Sequence, residues 1–390
     1  MKNLLSLILL LFTASSLLAQ DGYQFTVVKE NPITSIKNQS SSGTCWGFSA
    51  LGFIESELIR TGKGEHDLSE MYIVRRNYKD KALKYIRVHG SLNFAQGGSF
   101  ADAIETINEY GVVPEEVYQG LNYGETIHRH SEMEAGLSGY LKGIAQNGNK
   151  KLSTAWARGF DGILDAYFGE LPSQFQYKGK SYTPQSLAKE LGLNSDDYIS
   201  LTSFTHHPFY APFAIEIPDN WRWALSYNLP IDELMKAVDY ALENGYTIAW
   251  ATDVSEVGFT RNGIGVIPDE EASENIGSDQ AHWLGLSQNE RNMRLRSKIE
   301  AGPVKEKEIT QEMRQITFDN YETTDDHGMQ IYGIAKDQNG KKYYMVKNSW
   351  GEAGKYKGIW YVSEAFVKYK TMSIVIHKDA LPKDISSKLK

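Results

Sequence analysis

The sequence predicts an α+β chain with two lobes, and three observations lead there. Helical periodicity fills the first third. Short runs of β-branched and aromatic residues fill the last third, and a polar stretch without clear period separates the two. At 390 residues the chain is long enough to bury a large core and to form two or three domains. Hydrophobic residues make up 41% and charged residues 23%, the proportions of an ordinary globular protein.

The first segment stands apart. Lys2 gives a positive start, residues 4–12 are a short apolar run, and Ser15-Ser16-Leu17-Leu18-Ala19-Gln20 ends small and polar. That order is a secretory signal cleaved near Ala19 or Gln20, and its apolar run is too short to cross a membrane comfortably. The expectation is export to a periplasm or the exterior, with no membrane span after cleavage. An uncleaved anchor is the alternative.

Residues 46–60 place Trp46, Ala50, Phe53, Ile54 and Leu58 on one helical stripe, with Glu55, Ser56 and Arg60 elsewhere. Gly62 is a plausible stop, so Cys45 sits at the N-terminus of this helix. Residues 67–86 read as a second helix, opened by Asp67 with Glu70 three positions on as a variant capping box. A third covers residues 99–110, closed by Gly111 and followed by Pro114. Residues 125–205 are polar with little period. Helix signals resume at Pro230-Ile231-Asp232-Glu233-Leu234 and run to about Leu242. The acidic run at 268–274 reads as a solvated loop, and residues 289–315 as a charged, exposed helical excursion. Residues 329–335, 343–347, 358–362 and 372–376 are strand-like, the first two joined through Asn339-Gly340, and form an antiparallel sheet or barrel. The expected organisation is a signal at 1–20, a helical lobe at 21–124, an inserted region at 125–215 and a β-rich lobe at 216–390.

Charge and cysteine count narrow the function. The net charge of −8 argues against nucleic acid as a main partner, since phosphate binding needs a basic surface. Cys45 is the only cysteine, so the exported chain cannot form an internal disulfide. A thiol without a structural partner is either a buried, inert side chain or a reagent. Its surroundings favour the reagent. Gln39 precedes it by six positions in Asn38-Gln39-Ser40-Ser41-Ser42-Gly43-Thr44-Cys45-Trp46. Far downstream come Asp326-His327-Gly328-Met329 and Asn348-Ser349-Trp350-Gly351.

Cysteine, histidine and asparagine are a nucleophile, its base and the group that orients the base. A helix N-terminus and a nearby imidazolium both favour the thiolate, and Gly43 lets the chain turn sharply just before it. The Cys45 backbone N–H and the Gln39 amide are suited to an oxyanion, each worth up to roughly 3–4 kcal/mol. Trp350 can cover the hydrogen bond between His327 and Asn348 and keep water from it. His128-Arg129-His130 and His206-His207 lack a Cys, Asp or Glu ligand pattern, so no metal and no cofactor are expected.

Gln39, Gly43-Thr44-Cys45-Trp46, Asp326-His327-Gly328 and Asn348-Ser349-Trp350-Gly351, in that order, resemble the papain-type cysteine peptidases. Histidine follows cysteine by roughly 130–150 residues in that family; here the interval is 282, which implies a large insertion. The enlarged form is similar to the bleomycin hydrolase or aminopeptidase C branch. Leu68-Ser69-Glu70-Met71-Tyr72, Gly97-Gly98-Ser99-Phe100, Tyr110-Gly111-Val112-Val113-Pro114 and Tyr227-Asn228-Leu229-Pro230 carry that likeness, over about residues 30–120 and 220–376.

The resemblance implies a papain-like two-lobed fold, with Cys45 on a helical lobe and His327 and Asn348 on a β-barrel-like one. It makes Cys45 the nucleophile, His327 the base, Asn348 the orienter and Gln39 the oxyanion donor. Gly97 and Gly98 would offer backbone to an extended peptide substrate beside Trp350. It further implies an aminopeptidase assembled as a homo-oligomer, a hexamer in the branch, whose C-terminal segment lies in the cleft. On that pattern residues after about 376 run back toward Cys45, and the Lys390 carboxylate meets a substrate's α-amino group; a frayed terminus is the alternative. The chain departs from the branch in its export signal, its shorter middle region and its unmatched tail. An endopeptidase with an open cleft and an inactive peptide-binding protein are the competing readings. A transglutaminase-like or cell-wall amidase enzyme fits Gln39 and Asn348-Ser349-Trp350 less well.

Overall fold

The computed structural model describes residues 22–148, 151–269 and 287–390; the signal-like segment at 1–20 and most of the acidic run at 268–274 lie outside them. The chain opens with β1 (Thr26–Glu30), then α1 (Cys45–Arg60), α2 (Glu70–Arg87) and α3 (Phe100–Tyr110). The middle holds α4 (Ser131–Ala145), α5 (Ala155–Phe168), β2 (Phe175–Tyr177), β3 (Lys180–Tyr182), α6 (Pro184–Leu191), β4 (Tyr198–Thr202) and β5 (Pro212–Ala214). After it come β6 (Leu225–Asn228), α7 (Ile231–Glu243), β7 (Ile248–Thr252), β8 (Ile264–Gly265), α8 (Gln288–Ala301) and α9 (Gln311–Asp319). The last elements are β9 (His327–Lys336), β10 (Lys342–Lys347), β11 (Ile359–Ser363), α10 (Glu364–Lys370), β12 (Thr371–His377) and α11 (Lys383–Ser386).

Helix α1 is the centre of the molecule. It is buried without interruption from residue 46 to residue 58, so it is wrapped on all sides rather than along one stripe. Glycines thin it where neighbours press: a methyl at Gly52 would meet Gln330 Oε1 at 3.0 Å. Glu55 and Ser56, expected off the buried stripe, are inside it. The Glu55 carboxylate accepts from the Leu68 N–H at 2.8 Å and the Thr34 hydroxyl at 2.5 Å, and Lys37 Nζ lies 3.5 Å away. The Ser56 hydroxyl donates to the Gly52 carbonyl and accepts from Gln330 Nε2. These two buried polar side chains persist because each is paired.

The second helix begins later than Asp67 suggested. Ser69 caps it, accepting from the Tyr72 N–H at 3.0 Å, while Asp67 pairs with Lys37 at 2.5 Å. Ser99 and Asp102 form a capping box at the start of α3, and Gly111 ends it at φ 81°, a value only glycine adopts without strain.

The large sheet runs in the order β5-β6-β4-β12-β7-β9-β10-β11-β8, with β1 added beside β9. It is mixed rather than purely antiparallel: β4 pairs parallel with β6, and β11 parallel with β8. Strand β4 comes from the stretch read as polar and without period. That stretch also hides helices, whose buried residues recur every four positions: Met133, Leu137 and Leu141, then Phe160, Leu164 and Phe168. Glycine and serine between them dilute the pattern, and the stripe is narrow because α4 and α5 cover the outside of α2. In the charged excursion, Leu295 and Ile299 are buried against Tyr23, Val266 and Tyr343.

The tail does not enter the cleft. Ala380 and Ile385 are buried beside α7; Asp384 pairs with Lys236 at 2.6 Å and Lys388 with Glu233 at 2.7 Å. The Lys390 N–H donates to the Tyr210 carbonyl at 3.1 Å. Two ion pairs and an apolar anchor hold residues 378–390 on the face of α7, which overturns the expected run toward Cys45. Among the described residues no helix is long and apolar enough to cross a membrane.

Candidate active site

Cys45 is the first residue of α1, preceded by Thr44, whose carbonyl accepts the first helical bond from Gly47 at 2.9 Å. The loop before it is pinned from outside: Gln96 Oε1 accepts from the Gly43 N–H at 2.6 Å, and its carbonyl accepts from the Trp46 indole at 3.0 Å. Gly43 is therefore there for a close approach, since a methyl on it would reach Gln96 Cβ at 3.0 Å. The sharp bend expected at Gly43 lies at Ser40 instead, with φ 53°.

His327 opens β9 opposite Thr252 of β7. Its Nε2 lies 2.8 Å from Asn348 Oδ1, just past the end of β10. That same Oδ1 accepts from the Ser349 backbone N–H at 2.7 Å. A backbone N–H can only donate, so the Asn348 amide is oriented and its oxygen faces the ring. Nε2 must then carry the proton, and Nδ1 keeps its lone pair for the thiol. Trp350 lies against the imidazole with ring centres 4.8 Å apart, so the bond is shielded from water.

Gln39 is buried and spans the two halves of the site. Its Nε2 donates to the Ser42 carbonyl at 2.7 Å, and its Oε1 accepts from the Ser349 hydroxyl at 2.6 Å. One amide hydrogen remains for the cavity. The Gln39 N–H also donates to the Ser349 carbonyl at 2.8 Å, tying this segment to the Asn348 loop. Ser349 is a positioning residue that sequence reasoning noted only as part of a motif.

Cys45, His327 and Gln39 line one cavity of about 270 Å³, together with Gly97, Gly98, Phe100, Asp219, Asp325 and Gly328 among others. Burial pushes the thiol up to about 12, against the pull of the Gly328 and Trp46 N–H groups and with a further rise from the Asp325 and Asp219 charges. Burial also drives the imidazole down to about 4, although the Asn348 bond opposes it. Neither group ionises alone near neutrality. A proton passing from sulfur to Nδ1 creates both charges together, and each then offsets the other's desolvation.

Gly97, Gly98 and Gln39 thus share the cavity with the expected catalytic pair; Asn348 and Trp350 stand behind His327 and outside the lining. Asp219 and Asp325 went unnoticed, because an isolated carboxylate carries no sequence signal. Among the described residues, the one trio with metal-ligand geometry is His206, His207 and Glu216. Glu216 lies nine and ten positions from the histidines and reaches both Nε2 atoms, at 2.8 and 3.1 Å. The sequence reading missed this acid, which already serves both rings as a hydrogen-bond partner.

Comparison with known proteins follows the same line. Residues 23–181 match the family described as "Papain family cysteine protease", and residues 305–390 match the "Peptidase C1-like family". The chain belongs to the papain family of cysteine peptidases. Aminopeptidase G from Lactobacillus delbrueckii subsp. lactis is 24% identical across 91% of this papain-family chain and 83% of its own length. Aminopeptidase C from Streptococcus thermophilus is 24% identical across 89% and 81%, respectively. Cysteine proteinase 1, mitochondrial, from Saccharomyces cerevisiae is 22% identical across 97% and 82%. The crystal structure of PepW from Lactobacillus rhamnosis superposes with a TM-score of 0.68 at 20% identity, over 93% of this chain and 84% of that one. Within the family, the chain falls in the aminopeptidase C and bleomycin hydrolase branch.

Proposed function

We propose that this papain-family peptidase is an exported aminopeptidase that cleaves peptide bonds through Cys45, His327 and Asn348. One observation carries the reading. The doubly engaged Asn348 oxygen fixes the protonated Nε2 of His327 and leaves Nδ1 as a base, in the cavity that holds Cys45. The thiol gives its proton to Nδ1 and the sulfur attacks the scissile carbonyl. The oxyanion is met by the Cys45 N–H, at the positive end of α1, and by the free amide hydrogen of Gln39. His327 then protonates the departing amine, leaving a thioester. Water, deprotonated by the same nitrogen, releases the acyl group and restores the thiol.

Free N-termini as the substrate class are supported by the names of the relatives that match over most of the chain. Export is supported by the composition of residues 1–20, and N-terminal sequencing of protein recovered outside the cytoplasm checks it. The test of function is hydrolysis of matched peptides with free and acetylated N-termini, beside a Cys45→Ala control. Cleavage of the free peptide alone, lost in the control, is expected. Equal cleavage of both peptides turns the assignment to an endopeptidase, and activity in the control removes the mechanism.

A further inference from the structure

The end of the cleft beyond Gly97 is built from an unexpected piece of chain. Residues 217–223, between β5 and β6, cross from the sheet to the outside of α2 and α3 and are fastened there. Arg222 pairs with Asp80 at 2.7 Å and Asp102 at 2.9 Å, and donates to Asn77 Oδ1 at 3.1 Å. Trp221 is buried beneath Lys81, and Asn220 Nδ2 donates to the carbonyls of Ile215 and Ala224. Ile217 and Asp219 of this strap line the catalytic cavity.

The Asp219 carboxylate lies directly on the backbone of Gly97, where even a single added methyl would overlap it. Gly97-Gly98 is the wall along which an extended peptide would pair its backbone, and Asp219 stands across that path. Among the described residues neither Asp219 nor Asp325 engages in a hydrogen bond or ion pair. Lys81 is the nearby cation, but its Nζ already donates to the carbonyls of Ala95 and Gly97. A half-buried carboxylate without a partner, facing a catalytic cavity, is a desolvated charge whose complement is absent. Burial accordingly raises both aspartates, with Lys81 opposing at Asp219 and the other acids adding to the rise at Asp325. The tail, the other candidate for this place, is held on α7.

We propose that Asp219 is the residue that makes this peptidase select free N-termini: it closes the cleft beside Gly97 and receives the substrate's α-ammonium, with Asp325 as a second carboxyl lining the same space. The inference rests on the aminopeptidase reading above and names the device behind it. An acetylated N-terminus brings no charge to Asp219 and adds bulk where the strap leaves no room, so it is rejected on both counts.

The test compares Asp219→Asn, Asp219→Ala and Asp325→Asn with wild type on a matched pair of fluorogenic peptides, one free and one N-acetylated. Titration with a thiol-directed epoxide counts active sites, so misfolding is read separately. Asp219→Asn should lower kcat/KM on the free peptide about 10- to 100-fold, mostly through KM. Asp219→Ala should in addition raise cleavage of the acetylated peptide several-fold by opening the wall. Asp325→Asn should weaken free-peptide KM by a smaller factor. If wild type prefers the free peptide and Asp219→Asn keeps that ratio with full titration, the role of Asp219 is refuted and the aminopeptidase reading stands. If wild type shows no preference, both fall.

Discussion

Replacing Asn348 by Ala removes an oxygen that serves two donors. In the resting enzyme it accepts from His327 Nε2 at 2.8 Å and from the Ser349 N–H at 2.7 Å, in a site buried under Trp350. When the imidazole takes the thiol proton, the first of these becomes a charge-assisted bond, worth about 1.5–3 kcal/mol. Its loss alone predicts a fall in kcat of roughly 10- to 150-fold at 1.4 kcal/mol per decade. A second loss adds to it. Without an acceptor at Nε2 the neutral ring can carry its proton on Nδ1, which turns a donor rather than a lone pair toward the sulfur. KM should change little, because Asn348 lies outside the lining of the catalytic cavity. The orphaned Ser349 N–H should cost about 1–3 kcal/mol of stability, read as a lower melting temperature. Steady-state kinetics corrected by active-site titration provide the measurement. A variant with kcat within threefold of wild type would show that the ring is oriented by its burial, and the tautomer argument would be wrong.

Four further outcomes follow from the same contacts. Cys45→Ala should abolish turnover while changing stability by only about 1 kcal/mol, and epoxide labelling should vanish with it; residual peptidase activity would sink the thiol mechanism. Ser349→Ala releases Gln39 Oε1 and should lower kcat roughly 10-fold as an oxyanion donor drifts, with KM steady; a KM effect alone would contradict the positioning role. Burial drives His128 down to about 4 and His130 to about 3, the latter helped by repulsion from His128. Both are neutral above pH 6.5 in either state. Below that the unfolded chain takes up protons the native protein refuses, so unfolding free energy should fall as pH drops from about 6.5 toward 4, by up to about 1.4 kcal/mol per pH unit per histidine. Denaturant titrations of a His128→Gln/His130→Gln variant should show a shallower acid limb; an unchanged slope would refute it. Finally, removing residues 379–390 exposes the pocket filled by Leu381 and Ile385, each worth about 1.5–3 kcal/mol. Stability should drop while the preference between free and acetylated peptides holds, and a changed preference would return the tail to the cleft.

What could be read from the sequence was what depends on neighbours in the chain. The start of α1 at Cys45, the end of α3 at Gly111 and the runs that became β9 to β12 follow from period and from capping residues. His327 and Asn348 were legible because each carries its own flanking signature. The rest depends on meetings between distant segments. The helices α4 and α5 bury a stripe of one residue in four, too thin for a periodicity search among glycines and serines. Glu55 looked like a surface residue because its partners Thr34, Lys37 and Leu68 come from other parts of the chain. Asp219 acquires meaning only when the strap lays it on Gly97. The tail was misplaced because a resemblance supplied its path, whereas its own Asp384 and Lys388 find partners on α7.

The nucleophile and its base are supplied by different layers of the molecule, one by the buried helix and the other by the first residue of β9. Gly328 is the point where the layers meet, so close that a methyl there would touch the Trp46 Cα at 3.4 Å and the Phe100 ring at 3.3 Å. Sliding one layer over the other by a fraction of a helical turn would part sulfur from imidazole and leave every helix and strand intact. Turnover in this enzyme is therefore a gauge of interlayer alignment, sensitive to displacements that spectroscopy of secondary structure would pass over.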